Sequence, residues 1–319
     1  MQLKGLNMLS YFLPFTRYPY KGTPVKCPVC SSDRHAKISG WDRKLKRLET
    51  HICDECGLFF HHPMPTDDEL AAYYASVYRL EYQFLRRRPS ASHQRRKTEE
   101  AERRVDRIAT VADLSQPRRI LDVGCGSGEV VRAFAARGHE AHGIEPGTDF
   151  ADHAASDLPE NAKIHGGGLQ GELFPDAHFD VIVCMHVIEH LNRPLEAVSL
   201  MRQWLAPGGV MMLEVPDMYG YKTKGFDRFH FAHTLGFTRE NFLLLLQKCG
   251  LAPLNAPNST SVLAVASDDP RATHPPVDLA AKTAMMRKAY QTGSPFSAHL
   301  KRHLGRLGRI LRHEIGSKS

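Results

Sequence analysis

Two sets of residues in this chain have the types and spacing to do chemistry. One is a run of three glycines at alternate positions, Gly124, Gly126 and Gly128, directly after the apolar stretch 120–123. Glycine tolerates positive φ and lets a backbone approach a ligand closely, so strand, glycine turn and helix open a nucleotide-binding α/β unit. The other set is Cys27-Pro-Val-Cys30 with Cys53-Asp-Glu-Cys56, two C-x-x-C knuckles separated by 22 residues. Four thiolates so spaced form a tetrahedral zinc site with no open position, the pattern of a structural metal. Disulfides or unrelated thiols are the alternatives. His51, His61 and His62 read as surface or packing residues, because four cysteines already satisfy one ion.

The glycine spacing narrows the ligand. A dinucleotide fingerprint, G-x-G-x-x-G, needs a glycine at 129, and Glu129 stands there, which weakens a nicotinamide oxidoreductase reading. From Asp122 the chain reads D-x-G-x-G-x-G, which resembles the first motif of class I S-adenosylmethionine (SAM)-dependent methyltransferases. Glu140-Ala-His-Gly-Ile-Glu145 ends 17 positions after Gly128, where a carboxylate can accept two ribose hydroxyls. Phe179-Asp-Val-Ile-Val-Cys-Met-His186, Val187-Ile-Glu-His-Leu191, Leu205-Ala-Pro-Gly-Gly-Val210 and Met211-Met-Leu-Glu-Val-Pro216 look like the remaining motifs of that family. With the knuckles included, the chain is similar to the branch with an N-terminal four-cysteine zinc ribbon, over roughly residues 25–265. The resemblance implies a SAM site built from Asp122, Gly124, Cys125, Gly126, Gly128, Glu145, Pro146 and His186. Family members often place an acidic residue near 164–169 for the adenine. Glycines stand here instead, so backbone groups around Gly168 and Leu169 take that part.

A sulfonium methyl is already activated, so such an enzyme aligns its acceptor and removes a proton. Candidate bases follow the fourth strand, where Glu189 and His190 are expected to open the next helix. The loop Phe226-Asp-Arg-Phe-His230-Phe-Ala-His233 is the expected acceptor contact. Zinc-ribbon sugar C-methyltransferases resemble this loop with Tyr-x-Glu-His, of which His233 alone is matched. Those enzymes also carry a further nucleotide-sugar domain, for which the roughly 50 residues after 261–266 are too few. The expected reaction is O-methylation of a small-molecule or glycan-precursor acceptor with a histidine base. C- or N-methylation of a sugar or other metabolite, and a non-catalytic module using its ribbon for contacts, are the alternatives.

The elements that must position these residues are those of an α/β chain. The expectation is a Rossmann-like class I methyltransferase sheet with helices on both faces, preceded by a small zinc ribbon and a helical linker. The boundaries are a leader at 1–24, the ribbon at 25–62, a helical linker or cap at 63–116, the SAM-binding domain at 117–267 and a basic helical tail at 268–319. Thr66 and Glu69 form a capping box ahead of an aromatic helical stretch, 73–82, that packs the linker or lines the substrate mouth. The stretch 86–107 reads as an exposed helix. Thr238 with a following glutamate predicts another helix start.

Composition bounds the rest. The 319 residues are 42% apolar and carry a net charge of +7, of which the stretch 297–319 holds +5, six Lys/Arg against Glu314. The remainder is therefore not a polycationic nucleic-acid binder. Arg43, Lys44, Lys46 and Arg47 near Trp41 read as a solvated face. Amino-methylating enzymes of bases carry Asn/Asp-Pro-Pro-aromatic where this chain has Cys184-Met-His-Val, so nucleic acid is not the expected acceptor. Cys125, Cys184 and Cys249 are expected to be inert. With no 18-residue apolar window, no signal peptide and metal-like cysteine pairs, a cytoplasmic protein is expected. Leu300, Leu304, Leu307 and Leu311 make a helical stripe beneath a basic face, suited to docking on protein or to the inner membrane face.

Overall fold

A computed structural model of the chain describes residues 10–74, 77, 91–218, 228–254 and 259–267, together with 283, 284, 287, 288 and 290. The amphipathic stripe expected at 297–319 lies outside the described residues. Among those described, no helix is long and apolar enough to cross a membrane.

The N-terminal unit is a small antiparallel sheet. Strands β1 (His35–Trp41), β2 (Arg47–Cys53) and β3 (Phe59–His61) lie side by side. Lys46, expected on a solvated face, is fully buried. Its Nζ donates to the carbonyls of Ser10 (2.6 Å) and Leu13 (2.8 Å) and to Thr16 Oγ1 (2.6 Å). The ammonium also lies 4.8 Å from the Tyr18 ring centroid. A buried ammonium persists only with such a full set of acceptors. The first described residues thus wrap the β1–β2 turn, and Tyr11 and Tyr18 pack with Tyr73 and Phe231. Lys46→Met should cost on the order of 3 kcal/mol, because two carbonyls lose a charged donor in a buried setting. Urea denaturation checks this; an unchanged midpoint would mean the clasp contributes nothing.

The main unit is a seven-stranded sheet. Its strands are β4 (Arg119–Val123), β5 (Glu140–Glu145), β6 (Ala162–Gly166), β7 (Phe179–Met185), β8 (Leu205–Glu214), β10 (Leu251–Pro253) and β11 (Ser261–Ala266). They lie in the order β10-β11-β8-β7-β4-β5-β6. β4 pairs in parallel with both β5 and β7, whereas β11 runs antiparallel to β8. Central strands are apolar on both faces, as a parallel sheet covered twice requires. Val181, Val183, Val210 and Met212 face one helical layer, whereas Ile182, Cys184, Met211 and Leu213 face the other. This is the expected Rossmann-like sheet with helices on both faces.

The first layer holds α2 (Ala91–Ala109) and α3 (Glu129–Ala135). α2 is amphipathic rather than exposed throughout. Ala101, Val105 and Ile108 recur at helical spacing and are buried against α3 and the sheet. The opposite layer holds α5 (Pro194–Trp204) and α6 (Arg239–Lys248). The α6 capping box is closed by Asn241 at N3 rather than by Glu240, because only the third helical residue reaches back to the Thr238 N–H. α1 (Asp67–Tyr73) starts at the predicted Thr66–Glu69 box, and α4 (Thr148–Ala155) follows β5.

The two units share one core. Cys27, Val29, Cys53, Cys56, Leu58 and Phe60 belong to the same apolar cluster as Trp204, Phe237 and Leu245. β3 also pairs with a two-residue strand, β9 (Leu235–Gly236), from the loop ahead of α6. Tyr290 packs on Phe59 and Phe229, and Arg287 pairs with Asp54, so the described part of the tail lies against the ribbon.

Candidate functional site

The glycine loop leaves the carboxyl end of β4, next to the point where strand order reverses between β4 and β7. Ligands of open α/β sheets bind in the crevice at such a point. Gly124, Gly126 and Gly128 have φ of 72°, 54° and 80°, a region that side chains with a Cβ avoid. A Cβ at Gly124 would lie 2.3 Å from Val187 Cγ2, so this glycine also lets the loop after β4 touch the loop after β7. Arg132 fastens the turn from below, donating to the carbonyls of Ser127 (2.5 Å) and Ala154 (3.0 Å).

Glu145 ends β5 beside this loop. Its carboxylate accepts from Gly126 N (3.0 Å) and Gly147 N (2.9 Å), which fixes it between the glycine turn and the turn carrying exposed Pro146. Asp122 is buried at the end of β4, and loss of hydration pushes its carboxyl up to about 7. Cys125 is buried over Gly143, with its thiol pushed up by burial. Gly168 lies beyond the end of β6 with open space at its Cα, and Leu169 packs against the core. The nearby carboxyl ends of β4 and β5 thus hold Asp122, the glycine loop, Cys125, Glu145 and Pro146.

The second half of the site follows β7. His186 adopts φ 57°, uncommon for a residue with a Cβ and a strain of the kind that collects at functional positions. Its Nε2 lies 3.1 Å from Glu214 Oε1 and its Nδ1 3.7 Å from Glu189 Oε1. Those two carboxylates push the imidazole up to about 9. Protonated His186 therefore stabilises the fold fully below about 6.5, and that contribution drains as pH rises through about 9. Stability measured by urea unfolding should fall over this interval more steeply in the parent than in His186→Gln; parallel curves would refute the pairing.

Glu189 and His190 do not open a helix. They sit in a single 3-10 turn, Ile188–His190, and α5 begins at Pro194, whose fixed φ suits the first helical position. The turn aims Glu189 inward, where its side chain is 1% exposed and neither carboxylate oxygen has a hydrogen-bond partner. Imidazoles surround it at distances just beyond hydrogen bonding, with His190 Nε2 at 3.8 Å and His233 Nε2 at 4.0 Å besides His186. His190 Nδ1 lies 2.6 Å from Tyr74 Oη and 2.8 Å from the Ala232 carbonyl. Burial first, then neighbouring imidazoles, hold His230 and His233 well below the usual histidine value, so both are neutral at pH 7.

All four expected acceptor-side residues, His233, His230, His190 and Glu189, are thus brought together. The His230 and His233 rings lie 3.8 Å apart, and buried His61 of β3 faces the His230 carbonyl at 3.2 Å. Sequence reasoning missed His61 and Glu214, whereas Tyr74 belongs to the aromatic stretch expected at 73–82, most of which lies outside the described residues. Glu214 had a usable signal, an acidic residue at the carboxyl end of a parallel strand. His61 had none, since β3 meets this loop through tertiary packing. A cleft beside the cluster is lined by Thr50, His61, Glu189, Arg228, His233 and Thr234, so the ribbon forms one wall of it.

One metal-type set lies in the N-terminal unit and another within the site itself. The four cysteine sulfurs lie within 4.8 Å of one another, with Cys27–Cys56 at 3.5 Å and Cys30–Cys53 at 3.4 Å. A tetrahedral zinc with bonds of about 2.3 Å spaces its sulfurs by about 3.8 Å. Glu189, His190 and His233 also bring one ligand atom each within 4.8 Å, so this cluster can take a proton or a divalent cation.

The chain is similar in sequence to known methyltransferases. Residues 92–256, about half of the chain, match the family described as a methyltransferase domain. A ubiquinone biosynthesis O-methyltransferase of Psychrobacter arcticus is 34% identical over 102 residues, 30% of this chain and 40% of that protein. A probable S-adenosylmethionine-dependent methyltransferase of Mycolicibacterium smegmatis is 28% identical over 160 residues, 46% of this chain and 62% of that protein. The chain thus spans less than two thirds of the length of either relative. Among solved structures, a SAM-bound amino pentose methyltransferase from Micromonospora echinaspora aligns with a TM-score of 0.44 and 22% identity, covering 53% of this chain and 91% of that one.

Proposed function

The chain belongs to the methyltransferase-domain family, and from that membership we propose that it transfers the methyl group of SAM to a hydroxyl of a small-molecule or glycan-precursor acceptor. The observation that carries this reading is the meeting of two loops at the reversal of strand order. One is a positive-φ glycine turn beside Glu145, and the other holds a buried carboxylate that makes no hydrogen bond and is ringed by histidines. The residues fit the donor, because a Cβ added at Gly126, Gly166 or Gly168 would meet nothing within 4 Å, an open cradle next to Glu145. We assign Asp122, Gly124, Cys125, Gly126, Gly128, Glu145, Pro146, Gly168, Leu169 and His186 to holding SAM, which when bound supplies the activated methyl.

The chain's own work is then at the acceptor. Neutral His233 accepts the hydroxyl proton, and the Glu189 carboxylate stabilises the imidazolium so formed, as an orienting carboxylate does in other histidine-base sites. His190, held by Tyr74 and the Ala232 carbonyl, packs edge-on against the His233 ring and orients it. His230 packs on His233 and keeps it from turning away. The ribbon (25–62), together with Tyr74 at the end of α1 in the helical segment (63–116), serves as the acceptor-side wall of the catalytic unit (117–267). We assign the four cysteines to a structural zinc, which their sulfur spacing fits.

Calorimetry with SAM, S-adenosylhomocysteine and NADH tests the donor. Micromolar binding of the two sulfur ligands is expected, lost in Asp122→Ala and in Glu145→Ala, with no heat from NADH. A folded, zinc-loaded chain that binds neither sulfur ligand would refute the enzyme reading and favour an interaction module.

A further inference from the structure

The ribbon carries a second cluster of ligating side chains, apart from its cysteines and from the histidines near Glu189. His35, His51 and His62 each place one ring nitrogen within 4.8 Å of the others. Register explains the meeting. On β1 and β2, His35 lies opposite Cys53 and Lys37 opposite His51, so His35 and His51 are diagonal neighbours on one face. On β3, Phe60 lies opposite His51, and His62 follows two residues later on the same face, its N–H donating to the Glu49 carbonyl.

The geometry is that of a site rather than of a surface patch. His35 Nδ1 and His51 Nδ1 stand 2.8 Å apart, with room for a single proton between them. His62 Nδ1 is buried with no hydrogen-bond partner. The Phe60 ring, 5.2 Å from His35 and 6.2 Å from His62, gives the cluster an apolar floor. Glu49 Oε1 accepts from His51 Nε2 at 2.9 Å, and Lys37 Nζ holds the other oxygen at 2.6 Å. A carboxylate on the far nitrogen of a ligating imidazole fixes its tautomer and raises its basicity.

We propose that His35, His51 and His62 form a second metal site of the ribbon, a three-imidazole set for a borderline divalent cation such as zinc or copper(II). Bonds of about 2.0–2.1 Å place tetrahedral nitrogens about 3.3 Å apart, so the His35–His51 pair need open by only about half an ångström. Three neutral nitrogens leave a fourth position for water, and imidazole ligands select zinc, copper or nickel over calcium and magnesium. The ion ties β1, β2 and the end of β3 together. This site does not depend on methyl transfer.

Cobalt(II) added to the zinc-loaded chain is the probe. It should produce visible absorption without the thiolate charge-transfer band that cobalt at the cysteines would give. The parent should take up one equivalent more than His35→Gln and than His62→Gln, with the cysteine-bound zinc unchanged in all three as proof of a folded ribbon. Equal uptake by the parent and both variants would overturn the proposal. A readout free of substitutions is the 15N spectrum of histidine rings in the parent. Ring resonances of these three residues should shift on adding zinc beyond the first equivalent, and rings that stay unmoved would overturn it equally.

Discussion

On the proposed zinc assignment, Cys53→Ala is expected to release the metal and to lower stability by about 5 kcal/mol or more. A structural zinc in a small domain contributes on the order of 10–16 kcal/mol, and three thiolates retain only part of it. The loss should not stop at the ribbon. Cys53 and Cys56 sit in one apolar cluster with Phe60, Leu235 and Trp204, and β3 hydrogen-bonds to β9 just after His233. A loosened β3 releases the Phe59–Gly236 and Phe60–Leu235 pairs, and with them the His61 contact to the His230 carbonyl. Methyl transfer should therefore fail, while SAM affinity falls less, since the residues assigned to the donor lie at β4 and β5 on a sheet that keeps its α2–α3 layer. Zinc content, melting temperature and SAM calorimetry measured together decide the matter. A zinc-free variant that melts with the parent would refute the structural role.

Glu189→Gln should reduce methyl transfer by about 10²–10⁴-fold with SAM affinity unchanged. The substitution keeps shape and removes one charge from a side chain that is 1% exposed, so the cavity stays filled. Without the carboxylate, a proton on His233 would be held in a buried setting among neighbouring imidazoles and Arg43, where burial first and those charges second already depress its basicity. The effect should appear in kcat rather than in acceptor KM, since the charge matters only once the proton has moved. A rate within threefold of the parent would remove Glu189 from the mechanism. Chelation separates proton transfer from a cation held by Glu189, His190 and His233. A parent rate unaffected by chelator, with ribbon zinc retained, supports the base; a rate lost to chelator and restored by magnesium or manganese assigns the cation instead.

Local sequence determined the parts whose signals are local. Strand β11 was legible as 261–266, and the α1 cap at Thr66–Glu69 was legible residue for residue, because alternation and capping act over a few positions. Gly124, Gly126 and Gly128 announced a positive-φ turn, since only glycine takes that backbone three times in five residues without strain. The cysteine pairs announced their own meeting. Tertiary structure decided the rest. Lys46 looked solvated in a basic run and is buried, because residues 10–16 fold over it and supply oxygens that no local rule connects to position 46. His51 and His62 looked like packing residues, and they became a cluster only when β1 and β3 were set beside β2 in one register. Glu189 looked like a helix start; Pro194 delayed the helix, and the intervening turn drove the carboxylate inward among side chains from β7 and from the loop before α6. Short-range patterns fix backbone conformation and metal spacing. Which charged groups lose their water, and which imidazoles they then face, depends on strand pairings between residues far apart in the chain.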